Sequence, residues 1–148
     1  MSIDINNYLS DNAKNMRRSA IRDLLSVANK PEIISFGGGF PNQDTFPVED
    51  LKQIMNDLLT EEPHKVLQYG STEGSVLLRQ QLAKKYQADG LDVTEKNIVI
   101  TTASQQAIDL VSRILINPGD TILCGLPSYL GALQAFYSYQ ANPVGIPK

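Results

Sequence analysis

Two predicted strand-to-helix turns carry the residues best suited to binding a small ligand. The first turn, residues 101–106 with the sequence TTASQQ, places hydroxyl groups, amide side chains and backbone N–H groups at the start of a predicted helix. Converging N–H donors and the helix dipole suit an anion such as a phosphate group. Ser104 could instead cap the helix with its side chain. The residues alone leave the phosphate and the capping interpretations open.

The second turn, residues 126–129 with the sequence LPSY, ends in an aromatic residue. Because the carboxyl ends of parallel strands lie at one edge of a sheet, we expect Tyr129 beside the first turn. Its ring could stack on a flat heteroaromatic ligand, or it could pack at the start of its own helix. The two turns together predict a ligand with a phosphate and a flat ring. Neither turn is a GxGxxG or P-loop motif, which disfavours a dinucleotide or a nucleoside triphosphate.

Other polar candidates are scattered along the chain. The backbone N–H groups of Gly38 and Gly39 could bind a carboxylate, or these glycines could form a tight turn. Arg22 could pair with an acidic substrate group, or it could be a solvated surface charge. The only cysteine, Cys124, is predicted to be a small core residue, and the only histidine, His64, to face solvent. Single copies exclude multi-cysteine and two-histidine metal motifs.

Hydrophobic periodicity and Pro/Gly breaks predict the elements that position these residues. The predicted helices cover residues 21–28, 48–60, 73–87, 104–116 and 129–139. The predicted strands cover residues 98–101 and 121–124, and a third begins near Val144. Thr72 is the predicted N-cap of the third helix. Alternation of strands and helices after residue 97 predicts βαβ units, and therefore an α/β fold with a parallel sheet.

Composition sets limits on the class of protein. The 148 residues are 42% hydrophobic and 20% charged, which is typical of a globular domain. The net charge of −3 provides no basic field for nucleic acid or for an anionic membrane. Residues 1–15 are polar and lack the apolar core of a secretory signal, and no apolar stretch approaches the roughly 20 residues of a membrane span. We therefore expect a cytoplasmic protein.

The predicted elements are too few to cover their own apolar faces. Two strands and the beginning of a third cannot bury the hydrophobic stripes of the predicted helices. The pattern therefore predicts that the chain is the N-terminal part of a larger α/β protein.

Four stretches together resemble the fold-type I pyridoxal-phosphate (PLP) aminotransferases. They are ISFGGGFP with FP (34–41, 46–47), LQYGSTEG with LR (67–74, 78–79), ITTASQQAIDL with NPGD (100–110, 117–120), and PSYLGALQAF (127–136). Their order and spacing match nearly the whole chain. The resemblance is to the class I branch with 2-aminoadipate and kynurenine/aminoadipate aminotransferases, and with the aminotransferase-like domain of some bacterial regulators. It implies a three-layer αβα fold with a mainly parallel sheet.

The resemblance also implies roles in binding PLP. Ser104 and Gln105 match the family's phosphate-binding turn, and Tyr129 matches the aromatic residue that stacks on the pyridine ring. Tyr69 matches a tyrosine that reaches from one subunit to the cofactor phosphate of the other, which implies a homodimer. On the substrate side, Gly39 matches a glycine beside the substrate carboxylate. Arg22 matches an arginine near the substrate side chain.

The implied function is transfer of an amino group from an amino acid, of the 2-aminoadipate, aromatic or broad type, to a 2-oxo acid. Residues 1–47 would form the N-terminal arm and part of the small domain, and residues 48–148 the start of the large PLP-binding domain. The lysine that binds PLP covalently in the family matches no residue here, so the chain alone is expected to be inactive. Alternatives are a ligand-sensing domain of a transcription regulator, a PLP lyase of the same fold, and a phosphate binder unrelated to PLP.

Overall fold

The computed structural model of the protein describes residues 3–16, 33–34, 36 and 39–147. The chain divides into two compact units, one formed by residues 1–39 with 102–148 and the other by residues 40–101. The predicted helix at residues 21–28 lies outside the described residues, and so does Arg22. None of the described helices has the length and apolar character that crossing a membrane requires.

In the unit of residues 40–101, three helices follow one another. They are α2 (Val48–Glu61), α3 (Pro63–Val66) and α4 (Val76–Ala88). Helix α1 (Asp11–Asn15) belongs to the other unit. Helix α2 begins after Pro47 and has Glu49 and Asp50 in its first turn, where carboxylates stabilise the helix dipole. Its observed start agrees with the predicted one.

Helix α4 begins three residues later than predicted. The Gly74 N–H donates to the Ser71 carbonyl at 2.9 Å, and the Gly74 φ of +94° lies outside the helical region. A turn therefore occupies residues 71–74, and Ser75 is the N-cap, its Oγ accepting from the Leu78 N–H. The prediction that Thr72 caps this helix is wrong.

Residues 98–101 do not form the predicted strand. The Ile100 N–H donates to the Glu73 carbonyl at 2.9 Å, but this segment has no ladder with another strand among the described residues. A strand is defined by pairing with a neighbour, so β-branched composition alone does not produce one. Arg79 fixes the preceding 3₁₀ turn (Glu95–Asn97) to α4 by donating to the Glu95 carbonyl at 2.8 Å.

The other unit contains the parallel βαβ arrangement that the sequence predicts. Strand β1 (Thr121–Leu126) pairs in parallel with β2 (Asn142–Pro147), with Thr121 opposite Asn142 and Leu126 opposite Pro147. Helix α6 (Leu130–Ser138) connects the strands, and helix α5 (Ser104–Leu115) packs against α6. The α/β class with a parallel sheet is confirmed.

The buried residues of α5 and α6 are small. Ser112 of α5 and Gly131 and Ala135 of α6 are buried, whereas large side chains of α5 such as Ile114 are exposed. The beginnings of α5 and α6 lie next to each other, because Gln105 of α5 donates a hydrogen bond to the Gly131 carbonyl of α6.

Candidate functional site

The N-terminus of α5 has no side-chain cap. The N-cap residue is Ala103, with φ 149° and ψ 176°, and Ser104 is the first residue inside the helix. The interpretation of Ser104 as the capping residue is therefore wrong. The backbone N–H groups of Ser104 and Gln105 lie in the first turn, where N–H groups have no acceptor within the helix. They are available to an anion, because both residues are exposed and the first turn contains no acidic residue.

The side chain of Gln106 stabilises the turn that leads into α5. Its Oε1 accepts a hydrogen bond from the Thr102 N–H at 2.6 Å. The Ala103 backbone lies in a region that glycine adopts readily and other residues rarely, at a cost of about 1–3 kcal/mol. Strained backbone of this kind often occurs at binding sites, where the surrounding structure enforces it.

Gln105 connects the first turn of α5 to the first turn of α6. Its Nε2 donates to the Gly131 carbonyl at 3.0 Å, and its Oε1 accepts from the Tyr129 Oη at 3.4 Å. Tyr129 is the N-cap residue of α6, and its ring lies 2.6 Å from the position that a Cβ on Gly131 would take. The structure thus brings two of the predicted site residues, Gln105 and Tyr129, into contact.

The ring of Tyr129 remains largely accessible. The residue is 58% exposed, so packing at the start of α6 does not bury it. Ser128, which precedes it, donates from its Oγ to the Gly125 carbonyl and closes the turn after β1. The peptide bond between Leu126 and Pro127 in this turn is cis. An exposed aromatic ring beside free N–H donors can contact a flat, phosphorylated ligand.

A second polar link joins α5 and α6 further from these turns. The Tyr139 hydroxyl donates to Asp109 Oδ1 at 3.1 Å, and Arg113 Nε donates to the Tyr139 oxygen at 3.4 Å. The hydrogen bond with Tyr139 raises the pKa of Arg113, and the nearby carboxylate of Asp109 acts in the same direction. Arg113 is a cation, as arginine always is in proteins, and it lies in the last turn of α5, where a cation is favourable.

Gly39, of the same unit, adopts a φ of +61°, which glycine tolerates and other residues rarely do. No heavy atom lies within 4 Å of the position that a Cβ would take there. Its backbone is accessible, as a carboxylate-binding N–H would require.

In the other unit, Tyr69 is 99% exposed. It lies in a loop stabilised by the Ser71 hydroxyl, which donates to Glu73 Oε2 at 2.5 Å. That bond, followed by one from the Glu73 backbone, lowers the pKa of Glu73. A fully exposed tyrosine in an ordered loop can contact another molecule.

The remaining candidates have ordinary environments. Cys124 is half-buried, with its Sγ 3.7 Å from the Val144 carbonyl oxygen, and His64 is exposed as predicted. In the part of the chain that the structure describes, no group of three or more His, Cys, Asp or Glu side chains could hold a metal ion.

Gly131 is a residue of this site to which the sequence alone assigned no role. A Cβ on this residue would lie 2.6 Å from the Tyr129 Cε1 and Cζ atoms and closer still to Gln105 Oε1. A signal was present, because glycine in the first turns of an otherwise regular helix costs about 1 kcal/mol relative to alanine. Such a glycine indicates that something approaches the backbone closely.

The chain belongs to the aminotransferase class I and II family, whose model matches residues 31–147. It is 40% identical to aromatic-amino-acid aminotransferase 1 of Thermococcus litoralis over 147 residues, which are 99% of this chain and 35% of that protein.

Solved structures support the same assignment. The α-aminoadipate aminotransferase LysN of Thermus thermophilus, complexed with N-(5'-phosphopyridoxyl)-L-leucine, matches 98% of this chain and 35% of its own, with 33% identity and a TM-score of 0.84. A kynurenine aminotransferase of Pyrococcus horikoshii matches 97% of this chain and 36% of its own, with 39% identity and a TM-score of 0.84. The chain thus spans about a third of the length of these relatives.

Proposed function

We propose that the full-length protein containing this chain is a PLP-dependent aminotransferase. It would transfer an amino group from an amino acid of the 2-aminoadipate, aromatic or broad type to a 2-oxo acid. Membership of the family and 33–40% identity to aminoadipate, aromatic and kynurenine aminotransferases support this proposal. We also propose that the protein acts in the cytoplasm.

One observation carries the cofactor assignment. The contact of Gln105 with both Gly131 and Tyr129 holds an accessible aromatic ring next to the N-terminus of α5. In the proposal, the backbone N–H groups of Ser104 and Gln105 bind the phosphate of PLP, and the Tyr129 ring stacks on its pyridine. The chemistry of these groups fits PLP, which combines a dianionic phosphate with a flat heterocycle.

Three further residues complete the proposed site. Tyr69 would reach the cofactor phosphate of the partner subunit in a homodimer, and its full exposure is compatible with that role. Gly39 would offer its N–H to the substrate carboxylate, and Arg22 would face the substrate side chain. We further propose that residues 1–47 form the arm and small-domain part, and residues 48–148 the start of the large domain.

Bound PLP supplies an electron sink that makes the α-carbon of an amino acid acidic. The residues of this chain would contribute by binding: the start of α5 neutralises the phosphate charge, and Tyr129 fixes the plane of the cofactor ring. None of them is proposed to move a proton at the reacting carbon. The 148-residue chain alone is therefore proposed to be inactive.

Replacement of Tyr129 by alanine tests the proposal in the full-length protein. Loss of stacking should weaken PLP binding by about 1–3 kcal/mol, measured by equilibrium dialysis or by titration of the PLP absorption band. Tyr8→Ala is the matched control, because Tyr8 is exposed and lies in a 3₁₀ turn near the N-terminus. Unchanged affinity of Tyr129→Ala would contradict the stacking role.

The wild-type protein distinguishes the alternative functions in the same assays. An aminotransferase binds PLP and converts an added 2-oxo acid into its amino acid at the expense of an amino donor. A lyase releases product without a 2-oxo acid, and a ligand-sensing domain binds PLP without turnover. A full-length protein that does not bind PLP would overturn the proposal.

A further inference from the structure

We propose that Gln105 and Gly131 act together as positioning residues that set the orientation of the Tyr129 ring. This inference rests on the proposed function, because the orientation matters only if the ring stacks on a bound heterocycle. It goes further by assigning the Gln105 side chain to the tyrosine rather than to the phosphate, and by giving Gly131 a role.

Both polar ends of the Gln105 amide are engaged. Nε2 donates to the Gly131 carbonyl at 3.0 Å and is partly buried there, while Oε1 accepts from the Tyr129 hydroxyl at 3.4 Å. One side chain therefore joins the backbone of α6 to the tip of the ring that precedes it. A hydrocarbon side chain of similar length could make neither bond, although its backbone N–H would remain at the start of α5.

Gly131 provides the space in which these two side chains meet. A Cβ at this position would lie 2.6 Å from Tyr129 Cε1 and Cζ and closer still to Gln105 Oε1, and both separations are shorter than any ordinary contact. The atoms that would have to move are the far ends of the glutamine and tyrosine side chains, and not backbone. A methyl group at position 131 would consequently displace the amide and the ring while leaving α6 in place.

This arrangement predicts an unusual pair of effects for Gly131→Ala. Alanine has the higher helix propensity, so the PLP-free protein should keep its stability or gain some. PLP affinity should fall, because the ring loses the orientation that stacking requires. A glycine with a purely structural role would show the opposite, a loss of stability without a specific effect on the cofactor.

The experiment uses the full-length protein with the variants Gly131→Ala and Gln105→Leu. PLP affinity is measured by equilibrium dialysis, the environment of bound PLP by the circular dichroism of its absorption band, and the stability of the PLP-free protein by thermal unfolding. We expect roughly tenfold weaker PLP binding, an altered dichroic band and little change in thermal stability. Gln134→Leu, the same replacement at a half-exposed position in α6, is the control and should bind PLP like the wild type.

A double-mutant cycle tests the link through the tyrosine hydroxyl. In a Tyr129→Phe background the Oη–Oε1 contact is already absent, so Gln105→Leu should weaken PLP binding less than it does in the wild type. Full additivity of the two substitutions would show that Gln105 does not act through Tyr129.

The outcomes separate this inference from the proposed function. If the wild type binds PLP and both Gly131→Ala and Gln105→Leu bind it with unchanged affinity and dichroism, the positioning role is wrong and the proposed function stands. If the wild type fails to bind PLP, both are wrong. If Gly131→Ala proves unstable, the proposal that Gly131 only leaves space for two side chains is wrong. The PLP affinity of Gln105→Leu then decides whether the glutamine positions the ring.

Discussion

At the scale of single residues, the loop around Tyr69 owes part of its structure to the bond from Ser71 to Glu73. This bond is the largest cause of the lowered pKa of Glu73. A carboxyl whose pKa is lower in the folded protein stabilises it fully above the unfolded pKa. That contribution is therefore present at neutral pH, and it is lost in acid as the pH falls through the lower, folded value.

Replacement of Ser71 by alanine should raise the pKa of Glu73 toward its ordinary value of 4.5. The reason is that the carboxylate loses the hydroxyl donor that favours its charged form. Titration of the Glu73 carboxyl carbon by NMR in the full-length protein measures the change. Thr72→Ala, at the neighbouring exposed residue, should leave the titration as in the wild type, and an equal effect of both variants would contradict the assignment.

The sequence predicts which residues of the site lie together, but not which hydrogen bonds they form. The contact between Gln105 and Tyr129 could be anticipated, because two strand-to-helix turns in a parallel arrangement lie at one edge. The partner of each amide atom could not be anticipated, since it depends on the space that Gly131 leaves for the two side chains. The roles of Ser104, Gln105, Tyr129, Tyr69, Gly39 and Arg22 in binding remain predictions.

At the scale of elements, local signals determined the helices well. Apolar periodicity and the breaks at Pro47, Asn117-Pro118 and Gly125–Ser128 placed α2, α5 and α6 within a residue or two of their observed bounds. The start of α4 was missed because a turn ending at Gly74 competes with the helix. The strand prediction at residues 98–101 was wrong because pairing depends on a neighbour that composition does not reveal.

The start of α5 gives a prediction about stability. Ala103→Gly should raise the free energy of unfolding of the full-length protein by about 1 kcal/mol, because glycine relieves the backbone strain and is the better N-cap. Part of the gain is offset by the larger conformational freedom of glycine in the unfolded chain. Urea unfolding measures the effect.

The control for this prediction lies in the same helix. Ala107→Gly, inside α5, should lower the free energy of unfolding by about 1 kcal/mol, since glycine is a poor residue in a helix interior. Opposite signs for the two alanine-to-glycine changes are the expected result. A loss of stability in both variants would show that the Ala103 backbone is not strained.

At the scale of the whole molecule, the described residues bury little apolar surface. Their buried hydrophobic residues are three alanines, Ala83, Ala135 and Ala141, while Ile114 and Leu115 of α5 are 75% and 69% exposed. Hydrophobic burial is the main favourable contribution to folding, at about 25 cal/mol per Å² of apolar area. Among the described residues, the amphipathic stripes that predicted the helices correctly are thus largely exposed surfaces.

The exposed stripes lead to a prediction for the 148-residue chain produced on its own. It should bind the dye ANS strongly and unfold over a broad range of temperature, because the helices that the structure describes have largely exposed apolar faces. The full-length protein, whose relatives are about three times as long, should bind little ANS and unfold cooperatively. Dye fluorescence and calorimetry of the two proteins at equal concentration make the comparison. A sharp transition and no dye binding for the chain alone would mean that these apolar faces find partners within the 148 residues, and that the exposed stripes of α2 and α5 are not surfaces for the rest of an aminotransferase.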